Sequence, residues 1–179
     1  MALLALAACE GRGKVRPVGE FFGEGGKSGR AAVVTREPER SSETPSEGLD
    51  NRARAAYESA KGDYTRGDLA AMQKSLEQAL KFQPDFTEAW YNLGACRGNR
   101  ALEAIRAEDE GGALALFRSA VDAKRKAKEL MDQGVWYVYL TSAEQEQTRE
   151  DVEAALEDAD AVLDDEESLL AAMRLMAGE

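Results

Sequence analysis

From residue 50 onward, apolar residues return every three or four positions, the spacing that lines one face of an α-helix. Ala53, Ala56, Tyr57, Ala60 and Tyr64 make the first such face. Asp50 or Asn51 is placed to cap its start, and Gly67-Asp68 to end it and cap the next helix. Leu69, Met72, Leu76, Ala79 and Leu80 make the second face, which must stop before Pro84. A third helix is expected to begin near Asp85 and carries Trp90, Leu93, Gly94, Ala101 and Ile105. After Gly111-Gly112 a fourth carries Ala113, Leu116, Phe117, Ala120, Val121, Ala127 and Leu130 and ends by Gly134. Residues 135–140 read VWYVYL, which taken alone has strand character. In a helical array they are expected instead to open a further helix. Its partner is expected to be capped by Thr148 and to carry Val152, Ala155, Ala159 and Val162. A last helix over residues 166–177, with Leu169, Leu170, Met173 and Met176, is expected to cap the array. The fold class is all-α.

Several of these positions fall into a pattern. Trp90-Tyr91-Asn92-Leu93-Gly94 sets a tryptophan, a leucine and a glycine on one helix face. Gly67-Asp68-Leu69, Leu76, Ala79 and Pro84 precede it, and Ala113, Phe117 and Ala120 follow. The set resembles the tetratricopeptide repeat, in which small residues let paired helices approach closely. A weaker copy is Val152, Ala155, Ala159 and Val162, and the matches span residues 50–163. The steps from Ala79 to Ala120 and from Ala120 to Val162 are 41 and 42 residues, against a family period of about 34. The excess is close to two helical turns, so the apolar face stays in phase and longer helices are expected.

The resemblance implies a short α-solenoid of about three helical hairpins with a C-terminal capping helix, over residues 50–179. It also implies a concave face that binds a peptide or helix segment of another protein. By the family pattern that face holds Tyr57, Lys61, Tyr64, Tyr91, Asn92, Ala95 and Asn99. Tyrosine supplies contact area at low entropic cost, and asparagine can both donate to and accept from a peptide amide. Tyr57 and Tyr91 stand where carboxylate-gripping members of the family carry lysine, so that activity is not expected.

Residues 10–48 are rich in Gly, Ser, Glu, Arg and Pro and hold too little apolar surface to offset the entropy of ordering a chain. A disordered tether over residues 9–49 is expected, with an r.m.s. span of roughly 30–35 Å. Phe21-Phe22 and residues 31–35 are its apolar islands. GEGGKS at residues 23–28 lacks the earlier glycine, strand and helix of a phosphate-binding loop, so nucleotide binding is set aside. Ahead of the tether, Leu6-Ala7-Ala8-Cys9 resembles the bacterial lipobox, which implies lipidation at Cys9 and a partial lipoprotein signal over residues 1–8. The apolar run is eight residues with no basic residue before it, so the true start is expected upstream. The implied location is a bacterial cell envelope, lipid-anchored and facing the periplasm. The alternative is a soluble cytoplasmic adaptor with a mis-assigned N-terminus.

Charge and residue types then narrow the chemistry. The chain has no histidine, which removes His-based nucleophilic catalysis, histidine zinc motifs and haem ligation through His. Cys9 and Cys96 form no metal-ligand spacing, and Cys96 reads as a small buried hydrophobe. Of the net charge of −11, residues 142–179 carry all of it, with 13 acidic and 2 basic residues. Such a segment disfavours nucleic acid and anionic membrane as partners. The basic cluster Lys124, Arg125, Lys126 and Lys128 is expected to pair with Glu153, Glu157, Asp158 and Asp160 rather than with nucleic acid. No catalytic residue, metal, cofactor or small-molecule substrate is expected. The expectation is a protein–protein adaptor or scaffold, with an enzyme using paired carboxylates as the remote competitor.

Overall fold

The computed structural model describes residues 48–137 and 141–178. The signal-like stretch, Cys9, most of the tether, the GEGGKS segment and both apolar islands lie outside the described residues, as do residues 138–140. Within the described residues the chain is all-α, with six helices and no strand. They are α1 (Asn51–Thr65), α2 (Leu69–Phe82), α3 (Thr87–Arg106), α4 (Glu110–Asp132), α5 (Ser142–Asp160) and α6 (Glu166–Ala177).

Local chemistry sets most of these limits. Asp50 caps α1 by accepting from the Arg52 backbone N–H at 2.7 Å, and Asp68 caps α2 through Ala71 N–H at 2.8 Å. The chain turns between them through Gly67, whose N–H donates to Tyr64 O. α2 stops at Phe82, two residues short of Pro84. Asp109 caps α4 through Gly112 N–H, and a Cβ on Gly112 would stand 2.1 Å from the Asp109 carboxylate. Gly111 and Gly112 therefore belong to the first turn of α4, and the turn itself falls at residues 107–109. α6 has the limits the sequence indicated, capped by Asp165 and closed by Gly178.

α1 and α2 form one helical hairpin and α3 and α4 a second, with α2 packed on α3. One core lies between the hairpins: Met72, Leu76, Phe86 and Ala89 are fully buried there with Tyr57, Leu93 and Cys96. The second hairpin closes tightly at Gly94. A Cβ there would lie 2.8 Å from Lys124 Cγ and 3.1 Å from the Ala120 carbonyl oxygen, so the two helices approach closely at this point.

After α4 the chain departs from expectation. Among the described residues no third hairpin forms. Residues 135–137 are neither helix nor strand, where a helix was expected, and the next helix begins at Ser142. Thr148 does not cap a helix. It sits inside α5 and donates to Glu144 O at 2.7 Å. The cap is Thr141, which accepts from Glu144 N–H while the Glu144 carboxylate accepts from Thr141 N–H, a reciprocal capping box. Val152 and Ala159 are buried on α5, Ala155 is half-buried, and Val162 lies in the turn that follows.

α5 and α6 then run end to end antiparallel to α4. Arg149 donates to Met131 O, and Lys128 pairs with Glu153, Arg125 with Asp160, Arg118 with Glu166 and Arg174 with Glu110. Positions fall along α4 as they rise through α5 and α6. Exposed pairs of this kind contribute about 0–1 kcal/mol each. Burying one large apolar side chain contributes roughly 1.5–3 kcal/mol. The seam of Val152 and Leu156 against Val121, Ala127 and Met131 therefore holds α5 in place. Leu169 and Met173 against Ala101, Ile105 and Ala113 do the same for α6, and the ion pairs set the register.

Candidate functional site

The residues expected on a concave face divide into two groups. Tyr57 and Asn92 are in the core, 3% and 0% exposed, rather than on an open surface. Asn92 Nδ2 donates to the Tyr57 hydroxyl at 2.7 Å and to Glu88 O at 2.9 Å, so the pair ties α1 directly to α3. Asn92 Oδ1 is buried and meets no donor among the described residues. Burial pushes the Tyr57 phenol far above its usual range, with the Glu88 and Glu58 charges adding to the effect. The phenol is a fixed hydrogen-bonding group, not an acid.

The other five lie on the same two helices. Lys61 is one turn on from Tyr57, half-buried, paired with Glu58 at 2.7 Å and 5.5 Å from the Tyr57 ring centroid. Tyr64 is half-buried against the first core. Tyr91 packs on the second core with Lys124 Nζ 6.0 Å from its ring centroid. Ala95 is half-buried and Asn99 exposed. Lys61 and Tyr64 thus continue the helical stripe of Tyr57 on α1, and Tyr91, Ala95 and Asn99 share a stripe of α3, each partly or fully exposed.

A second polar assembly lies at the start of α3. Thr87 and Glu88, in the first turn, are buried although neither is apolar. Thr87 Oγ1 donates to Val135 O at 2.6 Å, and the Tyr137 backbone N–H donates to Glu88 Oε1 at 2.9 Å. The Tyr137 ring stands edge-on to Phe86, centroids 5.7 Å apart at 77°, and Phe86 in turn packs on Tyr57 at 4.8 Å. The Tyr137 hydroxyl donates to Asp85 Oδ2 at 2.7 Å and accepts from Gln83 Nε2 at 3.0 Å. Residues 135–137 are therefore a strap, held by main-chain contacts to one helix and by one anchored phenol.

Burial would raise the Asp85 carboxyl, but the hydrogen bonds from Tyr137 and Gln83 outweigh it and hold the group below its usual range. Burial, with the hydrogen bond to Asp85, raises Tyr137. A carboxyl held low in the folded state contributes stability above its unfolded pKa of about 3.9, and that stability is lost as pH falls through the folded value. Below about pH 4 the strap is expected to loosen, read as faster amide exchange at Tyr137. Asp50, Glu77, Glu129 and Asp165 are also held low by their own partners. The comparison that isolates Asp85 is therefore wild type against Tyr137→Phe, whose strap should lose most of this acid dependence. An unchanged dependence in the variant assigns it to another carboxylate.

The remaining candidates settle into structural roles. Burial pushes the Cys96 thiol up to about 11, and the thiol donates to Leu69 O, so it is an unreactive core group. Of the acids expected to answer the basic cluster, Glu153 and Asp160 do so, on Lys128 and Arg125. Lys126 pairs instead with Glu129 of its own helix. Asp63 went unnoticed in the sequence: it is buried, pairs with Arg66, and accepts from Ser75 Oγ at 2.7 Å, joining α1 to α2. Among the described residues no group of acids, cysteines and histidines could hold a metal ion, and no helix is long and apolar enough to cross a membrane. No family model, curated protein or solved structure matches this chain.

Proposed function

We propose that this protein is an adaptor that binds another protein through the α1–α3 face, as a short tetratricopeptide-like array carried on an N-terminal tether with a lipid anchor at Cys9. The observation that carries this is the Tyr57–Asn92 hydrogen bond between the first helices of two hairpins, with Lys61 and Tyr64 on the helical stripe of Tyr57 and with Tyr91, Ala95 and Asn99 sharing a stripe of α3. The Gly94 approach to α4 and the small-residue seam of Ala53, Ala60, Ala79 and Ala89 suit that repeat architecture. A face mixing two phenols, a primary amide and a lysine suits a peptide or helix of a partner protein, because it offers area and hydrogen bonds without demanding one sequence.

A photo-crosslinking residue placed in the full chain at Ala95 or Asn99 is expected to give a discrete adduct in cells. The same residue at Glu150, exposed on α5, is expected to give none. Equal labelling from all three positions removes the face from consideration. For the anchor, Cys9→Ala is expected to move the full chain from the membrane fraction to the soluble one. Retention in membranes rules the lipid out, and a wild-type chain soluble from the start favours a cytoplasmic adaptor.

A further inference from the structure

We propose that the start of α3 is a recognition site for an extended peptide segment bearing an unphosphorylated tyrosine, and that residues 135–137 are its occupant in cis, exchangeable for the same kind of segment on a partner protein. This site is separate from the α1–α3 face and stands whether or not that face holds a partner.

The contacts divide into those that read any chain and those that read one side chain. Thr87 Oγ1 meets the Val135 carbonyl and Glu88 Oε1 meets the Tyr137 N–H, two main-chain groups on alternate residues. A guest that presents a carbonyl and the N–H two residues on in the same way supplies both, whatever its sequence. The tyrosine is specific. Its ring abuts Phe86, and its hydroxyl is held between Asp85 and Gln83. Phenylalanine would leave the Asp85 carboxylate without that donor. A phosphate on the hydroxyl would face Asp85 directly, with Glu88 close behind at the Tyr137 backbone, and like charges would expel it.

The receptor is built more firmly than its occupant. Phe86, Thr87 and Glu88 are fully buried, whereas Val135, Trp136 and Tyr137 are each only half-buried. Gly134 at φ 74°, a backbone state glycine tolerates, marks the N-terminal end of the strap. Trp136 packs on the α4–α5 seam, but Val152 and Leu156 meet Val121, Ala127 and Met131 there as well, and α6 has its own seam of Leu169 and Met173, so both helices keep apolar contacts when the strap is exchanged. Release into water is disfavoured, because it takes the Tyr137 N–H from a buried carboxylate oxygen. Exchange for another chain keeps that bond, so substitution rather than opening is the low-cost route.

The test uses the full chain and a fluorescent synthetic peptide with the sequence of residues 134–141. Wild type, with its strap docked, is expected to bind the peptide weakly. Tyr137→Ala, which removes the competing anchor, is expected to bind it about tenfold or more tighter, since the fraction of open sites rises. Peptides with phenylalanine or phosphotyrosine at the position matching Tyr137 are expected to lose that gain. A Tyr137→Ala chain that keeps its helical circular dichroism and binds no better than wild type overturns the proposal. So does equal binding of the phenylalanine peptide. If Tyr137→Ala fails to fold, Tyr137→Phe carries the same comparison, with a gain of about threefold expected and no gain overturning it.

Discussion

Phe86→Ala is expected to destabilise the domain by about 3–5 kcal/mol, the range for emptying a large aromatic from a packed core. Phe86 is fully buried and precedes the first residue of α3. Its ring is the contact between Tyr57 on α1 and Tyr137 on the strap, so truncation opens a void with a buried phenol on one side and the anchoring phenol on the other. The void cannot collapse easily, because Tyr57 is bound to Asn92 and Tyr137 to Asp85. Urea titration followed by helical circular dichroism measures the loss. A cost under about 1 kcal/mol would place the ring outside the core, in the range of ordinary surface substitutions. Amide exchange at residues 135–137 should accelerate more than exchange in α6, which packs on the other end of α3.

The second large effect is expected at Gly94. Gly94→Leu should cost about 1–3 kcal/mol or more by forcing side-chain atoms into the α3–α4 contact. Each kcal/mol shifts the unfolding midpoint by roughly 3–6 °C for a domain of this size. Gly94→Ala is the sharper comparison, because two effects of similar size oppose each other there. Replacing glycine inside a helix gains about 1 kcal/mol of propensity. The new methyl meets Lys124 Cγ, which can swing away, but also the Ala120 carbonyl oxygen at 3.1 Å, which belongs to the backbone. The alanine variant should therefore fall close to wild type and the leucine variant far below it. If both match wild type, the helices are not held together at that point.

What could be read from the sequence was whatever local chemistry decides. Asp50, Gly67-Asp68 and Pro84 bound α1 and α2 because caps and proline act within a turn of chain. The limits of α6 follow from acids at one end and glycine at the other. The strap was missed because its conformation is decided 48 and 49 residues away, by Thr87 and Glu88 reading its backbone. A local signal does exist: Thr141 followed three residues later by Glu144 is a helix start, and it lies upstream of Thr148. Tyr57 and Asn92 were assigned to an open face because a helical repeat pattern gives the direction of a side chain but not what covers it. Their 2.7 Å bond spans 35 positions and has no local trace.

The broken return of α5 and α6 along α4 has a consequence for scale. Among the described residues it covers the side of the second hairpin on which a further hairpin would stack. Under the proposed function, a guest laid across α1 and α3 would cross only two helices, a width of about 20 Å at ordinary helix spacing. That is the length of about six residues of extended chain. Selectivity for so short a footprint must come from a few well-placed side chains, not from the cumulative grip of a long superhelix.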